Sequence, residues 1–188
     1  MRDRIKDIFL ESIHIKEELL RNNISQIIEI AKLVIDALKK GGKVIIFGNG
    51  GSASDSQHIA AELVGRFKKD RAALPAIALT VNTSILTAIA NDYGYEAVFS
   101  RQVEALGAKN DVAIGISTSG KAKNVIAAIR QAEKMGLKTA ILTGGDGGDL
   151  AKQADVSLIV PSSVTARIQE AHITVGHIIC ELVEDALC

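Results

Sequence analysis

Along the first forty residues apolar positions recur at helical spacing. Ile5, Ile8, Ser12, Ile15 and Leu19 follow at three- and four-residue steps, with Phe9 beside Ile8 and charges between, the pattern of a one-faced helix. Asn22-Asn23 interrupts the pattern, residues 24–40 resume it, and Gly41-Gly42 ends it. A different rhythm follows. Short β-branched apolar runs at 43–47, 76–80, 111–117, 138–144 and 156–161 alternate with helical stretches at 53–66, 83–91, 95–107, 122–135 and 147–153, and a long helix is predicted over 165–187. Runs that are apolar at nearly every position fit strands covered on both faces, hence a parallel sheet. The predicted fold is α/β: one domain over 1–188, with a doubly wound, five-stranded parallel core over 43–188 flanked by helices. The two N-terminal helices, 1–40, are expected to pack outside the sheet or against a second subunit.

Composition narrows the classes of function. Lys+Arg and Asp+Glu both number 22 among 188 residues, so the net charge is zero. The bulk attraction used by nucleic-acid and membrane-surface proteins is missing, and neither partner is expected. A long uncharged stretch, 72–90, contains Pro75, Asn82 and several threonines and makes a poor membrane span. The charged N-terminal twenty residues do not fit a signal peptide. Cys180 and Cys188 lie eight residues apart in a predicted helix, about 12 Å by helical rise and too far for a disulfide. A reducing cytoplasm is the expected compartment.

Three strand ends run into loops rich in Gly, Ser and Thr: GNGGSAS at 48–54, STSGK at 117–121 and TGGDGGD at 143–149. In an open α/β sheet, ligands gather at the carboxyl ends of strands, where these loops lie. GNGGS opens a helix whose free N–H groups and dipole suit an anion. It matches neither a dinucleotide nor a nucleoside-triphosphate loop, and a tight strand-to-helix turn is an equal alternative. STSGK offers the hydroxyls of Ser117, Thr118 and Ser119, either as a cradle for a phosphate monoester or as a helix cap. In TGGDGGD, Asp146 and Asp149 argue against an anion, and the loop reads as structural. His58 and Glu62 stand four residues apart on one helical face, spacing that serves a metal, a proton transfer or a plain surface pair. Their apolar neighbours Ile59, Ala60, Ala61, Leu63 and Val64 predict a buried helix and so a partner for the pair. Gln169, His172 and His177 interrupt the apolar C-terminal helix, and one of these histidines suits a hydrogen-bonded core position. His14 is expected in solvent.

Together GNGGSxxDxxHxAAEL, NDYG, STSG and TARIQEAHxxxxH, in this order over almost the whole chain, resemble the phosphoheptose isomerases of the sugar-isomerase (SIS-domain) family. The resemblance implies a single SIS-type domain. It implies an aldose–ketose isomerase that converts sedoheptulose 7-phosphate to D-glycero-D-manno-heptose 7-phosphate through an enediol, the first step toward the nucleotide-activated heptose of surface glycans such as lipopolysaccharide. It also implies a cytoplasmic homotetramer with one zinc ion per site and no organic cofactor. By position, Asn49, Gly50, Gly51, Glu62, Asn91, Asp92 and Gln169 would contact the sugar, and Ser117, Thr118 and Ser119 its phosphate. Glu62 would be the general base and His177 the general acid, with His58, Glu62, Gln169 and His177 around the metal. One departure stands out: the family's phosphate loop reads STSGNS or STSGKS, whereas Ala122 here lacks the last hydroxyl. A hydrogen bond to a charged group contributes about 1.5–3 kcal/mol. The alternative within the family is a non-catalytic SIS-domain protein that binds the replication initiator. Those proteins also resemble MRDRIKDIFLESI, but they lack the Glu and His found here at 62 and 177.

Gln169 and His177 raise a geometric difficulty. Eight residues of helix separate them by about 12 Å and turn their directions by ~80°, whereas zinc ligands lie within about 2.0–2.3 Å of the ion. One ion can reach both only through a break in the helix or a second copy of the chain. The expectation is an active site at a subunit interface, to which Gln169 and His177 come from different protomers. The alternatives are that Gln169 precedes the helix and folds back, or is no ligand.

Overall fold

A computed structural model describes all 188 residues. Helices α1 (Arg2–Asn22) and α2 (Ile24–Lys39) precede the alternating part of the chain. That part runs β1 (Val44–Gly48), α3 (Gly51–Val64), β2 (Ala76–Ala78), α4 (Thr83–Tyr93), α5 (Ser100–Leu106), β3 (Val112–Ser117), α6 (Lys123–Lys134), β4 (Lys138–Gly144), β5 (Val156–Val160) and α7 (Thr165–Leu187). The five strands pair in parallel throughout, in the order β2-β1-β3-β4-β5. Every residue of β1 and β3 is buried, and so is all of β4 except Lys138, as a sheet covered on both faces requires.

Successive strand side chains point to opposite faces and feed two cores. Val44, Ile46, Ile114, Ile116, Leu142 and Val160 join α2, α3 and α7 on one face. Ile45, Phe47, Ala113 and Ile141 meet α5 and α6 on the other. α2 is part of the first core through Ile27, Ile30, Ala31, Val34 and Ala37, while α1 reaches it only with Ile15 and Leu19 and leaves Ile5, Phe9, Leu10, Ile13 and Leu20 exposed. The strand order reverses between β1 and β3, so the connections leaving those two strands go to opposite faces and open a crevice at their carboxyl ends.

Four predicted elements differ in extent. The helix expected over 95–107 is broken: Gly94 takes φ +86, Tyr95–Ala97 form one 3₁₀ turn, and Val98 and Phe99 drop into the core before α5 starts. The helix expected over 147–153 shrinks to a 3₁₀ turn at Leu150–Lys152, because Gly147 and Gly148 adopt φ +81 and +57, which a right-handed helix excludes. The strand at 76–80 ends at Ala78. α3 covers 51–64 rather than 53–66 because the GNGG loop itself enters the first turn. Cys180 is buried and Cys188 exposed, both as free thiols. No helix is long and apolar enough to cross a membrane.

The contact that positions the site is between α3 and α7. Gly176 faces Ile59 so closely that an added Cβ would stand 2.7 Å from Ile59 Cδ1. In an ordinary helix Gly→Ala gains about 1 kcal/mol, but overpacking a core typically costs about 1–3 kcal/mol. Gly176→Ala is therefore expected to lower the melting temperature. Ile59→Ala should cost less in the Gly176→Ala background than in the parent, a coupling that a thermal double-mutant cycle measures; additive effects would show that the helices have room to separate.

Candidate active site

The crevice is built from the loops after β1 and β3, and a pair of asparagines ties them together. Asn49 Nδ2 donates to Asn124 Oδ1 at 2.8 Å, Asn124 Nδ2 donates back to Asn49 Oδ1 at 2.9 Å, and the Tyr95 hydroxyl donates to the same oxygen at 3.1 Å. Asn124 is buried in the first turn of α6. Gly50 takes φ +57 and ψ −122 at the turn, a conformation open to glycine. Gly51 lies against the amide end of the Gln169 side chain, which a Cβ there would push aside.

Ser117 is buried at the end of β3, with Thr118 and Ser119 progressively more exposed beyond it. The residue at the N-cap of α6 is Ala122, so the three hydroxyls do not cap that helix. Within the turn, Ser119 Oγ accepts from Lys121 N at 3.2 Å. Gly120 rests directly on Gly147 and Gly148, and Leu150 N donates to Gly120 O at 3.1 Å. The TGGDGGD segment is thus a backbone buttress for the serine loop. Its Asp146 also borders the polar cleft of about 220 Å³ that Thr118, Ser119, Lys121, Ser162 and Thr165 line.

A second group of polar side chains comes together lower on α3. His58 Nε2 lies 3.0 Å from Glu62 Oε1, as the four-residue spacing predicts, and His177 Nε2 of α7 lies 3.4 Å from His58 Nε2. One ligand atom from each residue falls within 4.8 Å of the others. Two ligands at about 2.0–2.1 Å on a tetrahedral ion stand ~3.4 Å apart, so the imidazole separation matches a shared zinc. Two imidazole nitrogens and a carboxylate are also a zinc donor set. The burial expected for this helix is only half realised. α3 buries Ser52, Ser56, Ile59, Ala60 and Leu63, but Ala61 and Val64 are exposed, and His58 is 48% exposed against 24% for Glu62. The helix is amphipathic, and the polar pair sits at the border of its buried face.

Gln169 is not in this cluster. α7 is continuous from Thr165 to Leu187, so Gln169 does not precede the helix. Its side chain lies against Gly51, about 12 Å of helical rise from His177. Asn91 and Asp92 are exposed in the last turn of α4, where Asn91 Nδ2 donates to Asp92 Oδ1 at 2.8 Å, and Asp92 borders a groove with Tyr93 and Arg101. The link from this segment to the crevice is Tyr95. Of the C-terminal histidines, His172 is the core residue: it is fully buried and its Nε2–H donates to Thr143 O at 3.0 Å. His14 is exposed.

Several residues around the site escaped the sequence reading. The Phe67 ring lies 5.5 Å from the His177 ring. Asp55, one turn before His58, has a buried Oδ2 without a partner. Burial pushes its carboxyl up to about 6 against the opposing pull of His58. The Asp in GNGGSxxDxxH was the only sequence signal among these. Asn124, Tyr95 and Phe67 lie in unremarkable stretches and reach the site through the fold.

The SIS domain family matches residues 9–144 of the chain. A phosphoheptose isomerase of Aquifex aeolicus is 55% identical over 188 residues, covering 100% of this chain and 98% of the relative. One of Thermodesulfovibrio yellowstonii is 54% identical over 187 residues, covering 100% and 93%. Among solved structures, phosphoheptose isomerase from Neisseria gonorrhoeae superposes with a TM-score of 0.93 at 44% identity over 98% of both chains. That from Francisella tularensis gives 0.94 at 38% identity over 97% of both.

The buried His172 makes stability depend on pH. Burial pulls its imidazole from 6.5 to about 4, with the Thr143 carbonyl offsetting only part of the shift. Between those values the unfolded chain binds the proton and the folded chain does not, so stability is lost as pH falls from about 6.5 toward 4. The full effect is about 3 kcal/mol at 1.36 kcal/mol per unit. Asp55, whose raised carboxyl takes up a proton in the folded state over the same range, opposes this decline in parent and variant alike, so the readout is a difference. In denaturant melts His172→Gln, which keeps an N–H for Thr143, should hold its stability better than the parent as pH falls; equal slopes in both proteins would remove His172 as the cause.

Proposed function

Because the chain belongs to the SIS-domain family, in its phosphoheptose-isomerase branch, we propose that it interconverts sedoheptulose 7-phosphate and D-glycero-D-manno-heptose 7-phosphate through an enediol. The observation that carries this reading is the meeting of Glu62 with two imidazoles, one from α3 and one from α7, in a chain that also keeps a serine loop whose hydroxyls are not used as a helix cap. Aldose–ketose interconversion removes a proton from the carbon next to a carbonyl and returns it to the adjacent carbon. Glu62 is the base that carries this proton, and His177 moves the oxygen-bound proton, a task suited to an imidazole at neutral pH. Ser117, Thr118 and Ser119 bind the phosphate far from the reacting carbons, which orients those carbons. Asn49, Gly50 and Gly51 hold the sugar between them, with Asn91 and Asp92 as further contacts. When bound by His58, Glu62 and His177, zinc supplies Lewis-acid polarisation of the carbonyl; no organic cofactor takes part. Cytoplasmic residence belongs to the same reading and is supported by two cysteines that form no disulfide. The initiator-binding alternative is set aside, since Glu62 and His177 are both present and face each other across α3 and α7.

The site is assembled from more than one copy. Thr165 and Ile168 share the polar cleft with Ser119, whereas His177 lies nine residues beyond Ile168 on an unbroken helix, about 13 Å of rise. A homotetramer in which Gln169 of one protomer completes the ligand set of another reconciles the two. Apolar surface suited to such packing is abundant: α1, α2 and α7 enclose an apolar groove of about 490 Å³ that includes Leu20, Ile24, Ile28, Ile178 and Leu182. Packing of helices 1–40 against neighbouring copies would bury it.

Incubation of the purified protein with sedoheptulose 7-phosphate should produce the aldose by NMR, and Glu62→Gln should lower kcat about 10²- to 10⁴-fold while KM stays within about threefold. Turnover of the variant within threefold of the parent would remove Glu62 as the base. Co-expression of Gln169→Ala with His177→Ala should restore part of the activity that each variant lacks alone, because some interfaces then receive both intact residues. Verified mixed oligomers without any recovery would place both residues on one protomer.

A further inference from the structure

The loop from Gly65 to Ala72, between α3 and β2, is held by an unusual concentration of bonds on one carboxylate. Glu184, in the last turns of α7, accepts from Phe67 N and Arg71 Nε through Oε1, both at 2.8 Å. Its Oε2 accepts from Lys68 N at 2.8 Å and Lys69 N at 3.0 Å. Although burial pushes this carboxyl up, the three amides and the guanidinium together draw it down to about 2. The Arg71 and Glu184 side chains are 3% and 2% exposed. The rest of the Arg71 fork caps the end of α3, donating to Leu63 O at 2.9 Å and Glu62 O at 2.9 Å. Outside this pair, Lys68 reaches Glu181 and Lys69 reaches Asp185. The loop is thus fastened to both helices that carry the site.

At the centre of the fastened loop, Phe67 presents its ring to His177. Centroids are 5.5 Å apart with the planes at 30°, and the His58 ring stands 4.9 Å from His177 at 76°. An imidazole on a helix surface has rotamer freedom; here two neighbouring rings, Phe67 and His58, restrict it. A buried ion pair is poor evidence of added stability by itself; the amide and guanidinium bonds to Glu184 show instead that it fixes where the loop lies.

We propose that Phe67 is a positioning residue for His177 and that the Arg71–Glu184 pair is the anchor that sets it, so that the loop orients the imidazole toward His58 and Glu62. The inference rests on the isomerase reading only for what the oriented imidazole goes on to do. Residues that orient metal-binding or proton-transferring groups change metal affinity or activity about 10- to 100-fold when lost, and that range sets the expectation.

The test uses the full-length oligomer, at a temperature well below the melting points of all variants. Zinc chloride affinity by chelator competition, the imidazole resonances of His177, and kcat and KM for sedoheptulose 7-phosphate are compared. Phe67→Ala should weaken zinc about 10- to 100-fold, shift and broaden the His177 resonances, and lower kcat by a similar factor with KM within twofold. Phe67→Tyr, which keeps the ring, should remain within twofold of the parent on all three. Arg71→Lys keeps the charge but not the fork and should give intermediate values; if it fails to fold, the two Phe67 variants still decide. A Phe67→Ala protein with a lower melting point but unchanged zinc affinity and His177 resonances would reduce Phe67 to ordinary packing and overturn the proposal. Absence of turnover in the parent, with zinc affinity and resonances responding as stated, would overturn the isomerase reading and leave the positioning role standing.

Discussion

Everything at the site depends on how closely α3 and α7 approach on one face of the sheet. The contacts run in step along both helices: Gly51 against Gln169, Ile59 against Gly176, His58 against His177. From the Gly51–Gln169 contact to the pairs around 58–59 and 176–177 the sequence numbers rise together, so the helices run in the same direction. Two of the contacts use a glycine: at Gly176 a Cβ would press into Ile59, and at Gly51 it would displace the end of the Gln169 side chain. A helix-interior glycine normally weakens a helix; at Gly176 the lost propensity is exchanged for an interhelical distance at which two short imidazoles can meet. A wider spacing would leave His58 and His177 as separate surface residues.

The second requirement is that polar groups be available where a ligand arrives. Backbone and side-chain donors in a folded protein are ordinarily consumed by one another. In the serine loop this is avoided by structure elsewhere. α6 starts at Ala122 without a side-chain cap, the loop backbone is supported from below by Gly147, Gly148 and Leu150, and the loop after β1 is tied to α6 by the Asn49–Asn124 pair. The missing hydroxyl at 122 acquires a second meaning: a serine there would stand at a helix N-cap as well as in the loop proposed to hold the phosphate, so stability would change with any change in binding.

Two kinds of charge are handled in opposite ways. The Arg71–Glu184 pair is buried, saturated with hydrogen bonds and closed to solvent, which is how a fold tolerates ions inside. The His58–Glu62–His177 group lies at the edge of the core, partly open and unsaturated. Such an arrangement leaves lone pairs for a metal and a route for substrate. The saturated pair lies close enough to the unsaturated group that the loop it holds forms one wall of it.

Most of the architecture was legible in the sequence because it follows from local periodicity. Apolar runs at every position mark strands covered on both faces, three- and four-residue steps mark the helices, and Asn23 and Gly41 mark where they end. Glycine-rich strand ends marked the loops that border the crevice, and the spacing of His58 and Glu62 placed both on one helical face. Where local rules misled, positive-φ glycines or buried residues were responsible: Gly94 with Val98 and Phe99 broke one predicted helix, and Gly147 and Gly148 reduced another. Periodicity could not say which C-terminal histidine belongs to the core, because His172 and His177 interrupt the same apolar helix. Only packing separates them, sending His172 under β4 and His177 toward α3. It could not find Phe67 or Glu184 either, since their partners lie 110 and 117 residues away. Spacing along one helix is determined by the chain itself; distance between helices is decided by the core that forms between them.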